Sequence, residues 1–340
     1  MKNMLTFIFK RLGWSVFVLI GLSILIFSIA RIIPGDAAVM ALGVRATPEA
    51  LEQYRQENHL YDSVPRQYAY WLKGAVQGNF GNSTQTKRPV AQDIREFLPA
   101  TLELILFAAV LEIVFGIVLG ALSARYSGRF LDNLVRVTSY LGIATPSFVW
   151  AILFMLIFAF IWPILPPIGR LDLARPEAIT NFILVDSLLA GNMAAFWDGL
   201  KHLIMPGTAL ALTGIAQAAR ITRTSMLENM GKDFVGSEIA AGIPMRRVLM
   251  HYVLRPSATP TVSIIALDIA AMLGNAFLVE VIFNFPGLSK YGINAILNKD
   301  LNAIVAVVLV IGITFLVVNI LVDIIASYLD PRIRLQGGDK

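Results

Sequence analysis

Two carboxylic acids, Glu112 and Asp268, stand near the middle of apolar stretches that are long enough to cross a membrane. A carboxylate at mid-membrane depth costs roughly 2.5–3.5 kcal/mol on insertion scales, so we expect both side chains to face the interior of a helix bundle or a cavity. One interpretation is that they line a transport path and favour cationic or hydroxyl-rich solutes. The other is that they hydrogen-bond to Ser, Thr or Asn of neighbouring helices, or to a partner chain.

Other reactive groups are sparse. His59, His202 and His251 are far apart and lack metal-ligand spacing, and the chain has no cysteine, so no metal site and no disulfide are predicted. No glycine-rich phosphate loop of the form G-x-x-x-x-G-K-S/T occurs, which argues against nucleotide hydrolysis by this chain. No nucleophile motif indicates a catalytic triad. We therefore assign no catalytic residue and expect no enzymatic activity.

The composition indicates the medium that surrounds the chain. Of 340 residues, 56% are hydrophobic and only 15% are charged, and the mean hydropathy is +0.69. These values are typical of an integral membrane protein. The net charge of +5 is modest. The basic residues lack interleaved aromatic residues, so no nucleic-acid partner is predicted.

Six apolar stretches of the length that a helix needs to cross a bilayer predict an all-α integral membrane protein with six transmembrane helices. We place them at residues 12–33, 101–124, 137–161, 202–221, 261–283 and 303–328. The third stretch is interrupted near Thr145-Pro146, where we expect a kink, and the fourth is weaker. The first could be a cleaved signal peptide, but it is longer than the usual apolar region and lacks a small-x-small exit, so we interpret it as a retained span.

Basic residues in the short connections set the predicted orientation. Arg125, Arg129 and Arg136 follow the second span, and a second basic group lies between residues 220 and 255. The positive-inside rule places both connections and both termini in the cytoplasm. The predicted domains are an N-terminal segment with the first span at 1–33, an external loop at 34–100, a five-helix core at 101–329 and a cytoplasmic tail at 330–340.

The polar, basic segment at about 232–250 has the features of a docking helix. Gly242 is expected to end one helix, and Pro244 suits the first turn of the next, where Met245 offers a deformable apolar side chain. Small residues before the break allow a close approach, and Arg246 and Arg247 can pair with carboxylates on another protein. The alternative is a basic loop held against anionic lipid. The predicted docking residues are Glu238, Ala240, Ala241, Gly242, Met245, Arg246 and Arg247.

Motifs along nearly the whole chain resemble the dipeptide/oligopeptide branch of ABC importer permeases, the branch that also includes nickel and opine carriers. In the segment at 232–250 and just after it, the matching residues are DF at 233–234, AAG at 240–242, RRV at 246–248, His251, LR at 254–255 and Pro260. Elsewhere they are FKRL at 9–12, PGD at 34–36, QY at 67–68, GNFGNS at 78–83, PV at 89–90, TLEL at 101–104, TRTSMLE at 222–228, EVIFNFPGL at 280–288 and DPRIR at 330–334. Each motif is weak alone, but their order and spacing are specific.

The resemblance implies a type I ABC importer permease fold in the inner membrane. It identifies the stretch from Glu238 to Arg247 as the coupling helix that docks on a separate ATPase subunit. The implied partners are two ATPase subunits, a second related permease chain that completes a heterodimer, an external solute-binding protein and membrane lipid. ATP and magnesium would bind to the ATPases, and this chain would hold no cofactor.

Two departures from the family pattern bear on the site. Family members usually carry basic residues within the stretch that holds Ile239 and Ala241, and a polar residue where Pro256 stands, so this docking surface is less basic than usual. Acids are also not expected at positions 112 and 268. The solute could be a peptide, an oligosaccharide, an opine or a metal complex. Other functional classes are an ion-coupled transporter that works alone through the two acids, and a membrane scaffold without transport activity.

Overall fold

The protein is described by a computed structural model that covers residues 2–32, 36, 38, 39, 43, 46–57 and 59–329, with side chains at 13–29 and, within those ranges, from 36 to 321. The predicted cytoplasmic tail at 330–340 and several positions in the first part of the predicted external loop lie outside the described residues. Within the described part the chain is helical, and the only β pairing there is an isolated bridge between Asn82 and Pro89. This agrees with the all-α prediction.

The helices follow one another along the chain with short connections. They are α1 Lys2–Ile32, α2 Pro48–Glu57, α3 Val64–Val76, α4 Val90–Arg125, α5 Phe130–Ala144, α6 Ser147–Met155 with a π-helical turn Leu156–Ile161, α7 Ile183–Leu189, α8 Met193–Met230, α9 Asp233–Ala240, α10 Met245–Arg247 with a π-helical turn Val248–Val253, α11 Leu254–Ile282, α12 Leu288–Leu297 and α13 Leu301–Leu329.

Three of the described helices are long and apolar enough to cross a membrane: Val90–Arg125, Met245–Ile282 and Leu301–Leu321. They contain the predicted second, fifth and sixth spans. A bent pair, α5 with α6, makes a fourth if it is a single span, and the apolar part of α1, Gly13–Ile29, is shorter. The predicted fourth span lies inside α8, whose buried residues are largely Ala, Gly and other small types rather than Leu and Ile. Small residues lower the hydropathy of a helix but allow close packing on several sides.

The break in the third apolar stretch is much sharper than the kink we expected. The axes of α5 and α6 differ by 107°. Thr145 has the extended backbone angles φ −104° and ψ 122°, and Pro146 follows with φ −59° and ψ 149°. The proline ring disfavours the helical conformation of the residue before it. The prediction of a kinked continuous span is therefore wrong, because two residues in a row leave the helical conformation.

The chain divides into two compact units, and the first comprises residues 1–7, 102–285 and 317–340. Its centre is α8, which packs against α5, α6, α7 and α11. The approach between α4 and α8 is close, since a Cβ added at Gly120 would lie 2.5 Å from Cβ of Thr222. The Arg223 guanidinium donates to both oxygens of the buried Asp132 at 2.6 and 2.9 Å, which ties α8 to the start of α5.

The second unit comprises residues 8–101 and 286–316. Its core packs Val90 and Ile94 of α4 against Leu288 and Tyr291 of α12. The Tyr291 hydroxyl donates to Asp93 at 2.8 Å, and Asp93 also pairs with Arg88. These buried polar contacts are mutually satisfied, as such contacts generally are in protein interiors.

Candidate functional site: an exposed docking segment and a buried carboxyl pair

The segment at 232–250 consists of two helices joined by a tight turn. At the end of α9, Gly242 has φ +80°, and the Ile243 amide donates to the Glu238 carbonyl at 3.2 Å. This bond across six residues, with glycine in the left-handed region, is a Schellman cap. The predicted helix break at Gly242 is confirmed. Pro244 stands immediately before the first helical residue of α10 rather than within its first turn.

One face of this segment is buried in the first unit. Val235 of α9 and Val248, Leu249 and Val253 of the π-helical turn pack with Met226 of α8 in a single apolar cluster. Burial of such side chains contributes roughly 1.5–3 kcal/mol each relative to exposure. The cluster fixes the angle at which α9 leaves α8.

The opposite face is exposed and carries the predicted docking residues. Ala240, Ala241, Gly242, Arg246 and Arg247 are exposed and Glu238 is half-buried. Two large apolar side chains are also uncovered, since Ile239 is 48% exposed and Met245 is 49% exposed. Small residues at the centre with apolar and basic side chains around them form a surface suited to another protein. The structure contains no partner, so the docking role stays a prediction.

The segment is also fixed at its two ends, where α8 enters it and α11 leaves it. Asn229 donates from Nδ2 to Ser257 Oγ at 2.9 Å, and Lys232 Nζ donates to Asn229 Oδ1 at 2.7 Å. One helical turn further along each helix, the Thr222 and Thr261 hydroxyls are 2.9 Å apart and both buried. A force applied to the exposed turn would therefore reach α8 and α11 through these bonds.

The two predicted path residues lie near each other in the first unit. Glu112 on α4 is 0% exposed, and its carboxyl interacts with that of Asp268 on α11. Gly214 of α8 makes room for it, because a Cβ at position 214 would lie within 2.4–2.7 Å of the three Glu112 carboxyl atoms. Among the described residues, neither Glu112 oxygen has a hydrogen-bond partner.

Asp268 is partly satisfied. Its Oδ1 accepts from Gln217 Nε2 at 3.3 Å, whereas Oδ2 has no partner among the described residues. The interpretation that Ser, Thr or Asn of neighbouring helices satisfies these acids is therefore wrong for Glu112, and for Asp268 the partner is a glutamine. A contact with a partner chain, or with a solute, stays a prediction.

Sequence reasoning missed a second buried ion pair, and with it the connection that holds the loop before α7. Arg170 donates to Glu103 at 2.5 and 3.1 Å, and both side chains are nearly fully buried. Arg170 also donates to the Asn181 carbonyl, and the Leu184 amide donates to Glu103. The partners are 67 residues apart, so only the fold reveals the pair.

Comparison with known proteins assigns the family. The model of the family "Binding-protein-dependent transport system inner membrane component" matches residues 116–335, and a model of its N-terminal part matches residues 4–105. The chain belongs to this family. The permease is thus a multi-pass inner-membrane component of a transport system that depends on a binding protein. The inner-membrane location and the resemblance noted from the motifs are confirmed.

Full-length relatives of the permease have been described. A probable D,D-dipeptide transport system permease protein of Escherichia coli is 35% identical over 98% of this chain and 98% of its own length. A dipeptide transport system permease protein of Alkalihalophilus pseudofirmus is 34% identical over 97% of this chain and all of its own. A di/tripeptide transport system permease protein of Pseudomonas aeruginosa is also 34% identical, over 98% and 100%.

Proposed function

We propose that the permease is the membrane-spanning subunit of an ATP-driven importer for dipeptides or other short peptides. Three relatives that match it over nearly their whole length are named as permeases for dipeptides or di- and tripeptides. Two separate ATPase subunits bind and hydrolyse ATP with magnesium, a second related permease chain completes a heterodimer, and an external binding protein delivers the solute. Family membership favours this function over an ion-coupled transporter or a scaffold.

The observation that carries the ATPase-docking role is the division of the segment at 232–250 into a buried and an exposed face. Its apolar cluster anchors it to α8, while the turn at Gly242 presents small residues and two arginines outward. Residues of this kind allow close backbone approach and charge pairing with an acidic groove. Movement of the ATPases is passed to α8 and α11 through the bonds that join those helices at the segment.

The docking experiment compares two changes of different kind. Arg246→Glu/Arg247→Glu reverses the charge, whereas Gly242→Pro keeps the charge but forbids φ +80° and removes the amide that donates to Ile239. We expect both variants to lose the ATPase subunits when the permease is purified in mild detergent. Arg129→Glu/Arg136→Glu, which makes the same charge change at exposed positions of the other predicted cytoplasmic connection, is the matched control and should retain them.

The same comparison distinguishes the proposal from attachment to anionic lipid. Lipid contact depends on charge and would survive Gly242→Pro, which leaves every arginine in place. If Gly242→Pro keeps both ATPases while the Arg246/Arg247 reversal changes only lipid binding, the segment is a lipid contact and not a docking helix.

We propose six spans with both termini in the cytoplasm, which puts the segment at 232–250 inside and the loop at 163–200 outside. The absence of cysteine from the chain makes the test direct. Ser237→Cys and Glu177→Cys place single thiols at exposed positions of the two regions. An impermeant maleimide applied to spheroplasts should label position 177 and leave position 237 unlabelled until the membrane is opened. The reverse pattern would refute the orientation.

We propose that Glu112 and Asp268 line the translocation path and interact with a cationic group of the solute, such as the α-ammonium of a peptide. The support is that no cationic side chain of the described residues pairs with either acid. Glu112→Gln and Asp268→Asn should lower the uptake rate of a free dipeptide several-fold while the binding protein still docks. Equal rates and an unchanged range of solutes in both variants would show that the acids are structural.

A further inference from the structure

A second group of polar side chains lies in the first unit, away from both sites described above. His202 is on α8, Asp198 is one turn before it on the same helix, and Asp172 is in the loop that precedes α7. One side-chain ligand atom from each residue lies within 4.8 Å of the other two. The spacing of the histidines along the chain gave no indication of this group, because its other two members are aspartates.

The hydrogen bonds of His202 determine which ring nitrogen is available. Nδ1 lies 2.9 Å from the Asp198 carbonyl oxygen, which can only accept, so Nδ1 carries a proton. A neutral ring then has its lone pair on Nε2. The side chain is 1% exposed, and among the described residues Nε2 has no hydrogen-bond partner. A histidine that donates from one nitrogen to a backbone carbonyl and leaves the other free has the arrangement usual for a metal ligand.

The free Nε2 faces a carboxylate instead of a donor. Asp172 Oδ1 lies 3.5 Å from it. Two acceptors at that distance require a cation between or beside them, either a proton on Nε2 or a metal ion. Ligands at zinc distances of 2.0–2.2 Å in a tetrahedron are separated by roughly 3.4 Å, so the observed separation suits a shared metal without rearrangement.

Asp198 is oriented for the same role. Its Oδ2 accepts from the Asp172 amide at 2.8 Å and from the Leu173 amide at 3.0 Å. Oδ1 is not used in these bonds and lies on the side of the His202 ring, 3.6 Å from Nδ1. These bonds hold the carboxylate in place and bring the backbone of Asp172 against α8. Such supporting contacts fix metal ligands in known sites.

We propose that His202 Nε2 and the carboxylates of Asp172 and Asp198 form a binding site for one divalent transition-metal ion, with zinc as the first ion to test. One imidazole nitrogen and two carboxylate oxygens are ligands that zinc accepts, and the fourth position is left to water or to a solute group. The bound ion would clamp residues 170–173 to α8. This proposal is independent of the transport function.

The test is zinc binding to the full-length permease, prepared with an affinity tag that contains no histidine and stripped with a chelator. Asp172→Asn removes one ligand at a position that is 73% exposed, so the variant should fold normally. Glu177→Gln is the matched control, because it removes one exposed acid from the same loop. We expect one zinc ion per chain for the wild type and for Glu177→Gln, with the affinity of Asp172→Asn lower by at least about tenfold.

Two further measurements separate a metal site from a protonated histidine. X-ray absorption of the zinc-loaded permease should show nitrogen and oxygen ligands only, and His202→Gln should lose the bound ion. Hydrogen exchange at residues 170–173 should slow on adding zinc to the wild type but not to Asp172→Asn. Absence of stoichiometric binding, or equal zinc affinity in the wild type and Asp172→Asn, would overturn the proposal and leave a His202–Asp172 ion pair.

Discussion

Two glycines in the docking segment should respond in opposite directions to the same substitution. Gly236 lies within α9, and Gly242 forms the cap that ends it. A Cβ at either position would meet no atom within 4 Å. Packing therefore contributes nothing to the comparison, and only the backbone conformation differs.

The expected magnitudes follow from the two backbone conformations. At Gly242, φ is +80°, and a left-handed backbone costs a residue with a Cβ roughly 1–2 kcal/mol. Gly242→Ala should thus open the turn about 5- to 30-fold more often. At Gly236 the backbone is helical, and alanine is favoured over glycine there by roughly 0.5–1 kcal/mol. Gly236→Ala should thus close the helix about 2- to 5-fold more firmly.

Amide hydrogen exchange of residues 238–243, measured on the permease in lipid nanodiscs, reports this opening directly. The Ile243 amide donates to the Glu238 carbonyl in the cap, so it should exchange faster in Gly242→Ala and more slowly in Gly236→Ala. Gly242→Asn should fall between the wild type and Gly242→Ala, because asparagine tolerates the left-handed region. Equal exchange in Gly242→Ala and the wild type would refute the view that the glycine cap fixes the turn.

Two further predictions concern the loop between α6 and α8. Arg170→Gln leaves Glu103 buried without its partner and should destabilise the permease by roughly 3–5 kcal/mol, whereas Glu103→Gln/Arg170→Gln should cost less than that single change; thermal unfolding in detergent measures both. Burial acts to raise the pKa of Asp186, but hydrogen bonds from Thr180 and Asn181 outweigh it and lower the pKa below the usual aspartate value. The stabilisation is therefore present above the ordinary pKa and is lost as the pH falls through the lowered one. Exchange of the Thr180 amide, corrected for intrinsic rates, should rise in acid in the wild type but show no such rise in Asp186→Asn.

The elements predicted from the sequence are those that depend on neighbouring residues. Apolar stretches gave the positions of α4, α11 and α13, and the Thr145-Pro146 pair marked the break between α5 and α6. The same local signals gave the cap at Gly242. Helix ends were less well predicted. α4 begins at Val90, before the predicted span at 101, because a helix continues into polar turns that hydropathy does not register.

Family membership could also be predicted from the sequence, since ordered motifs along the chain record it without reference to any contact. The residues around the candidate sites were a different matter. Asp198 and His202 have helical i, i+4 spacing, which is a signal in the sequence, but Asp172 comes 26 residues before Asp198 and joins them only in the folded chain. Glu112 could be recognised as a costly residue, yet its contact with Gly214 depends on the packing of α4 on α8.

The sequence by itself determined the membrane class, the helical content, the family and the local structure of the docking segment, because hydropathy, backbone preference and motif order are properties of short stretches of chain. Only the tertiary structure decided that Arg170 pairs with Glu103, that Glu112 lies near Asp268 without a hydrogen-bond partner, and that a buried histidine faces two aspartates. These contacts join residues 26 or more positions apart along the chain to the partner that satisfies or fails to satisfy them. Which distant residues meet is set by how whole helices pack, and no short stretch of sequence contains that information.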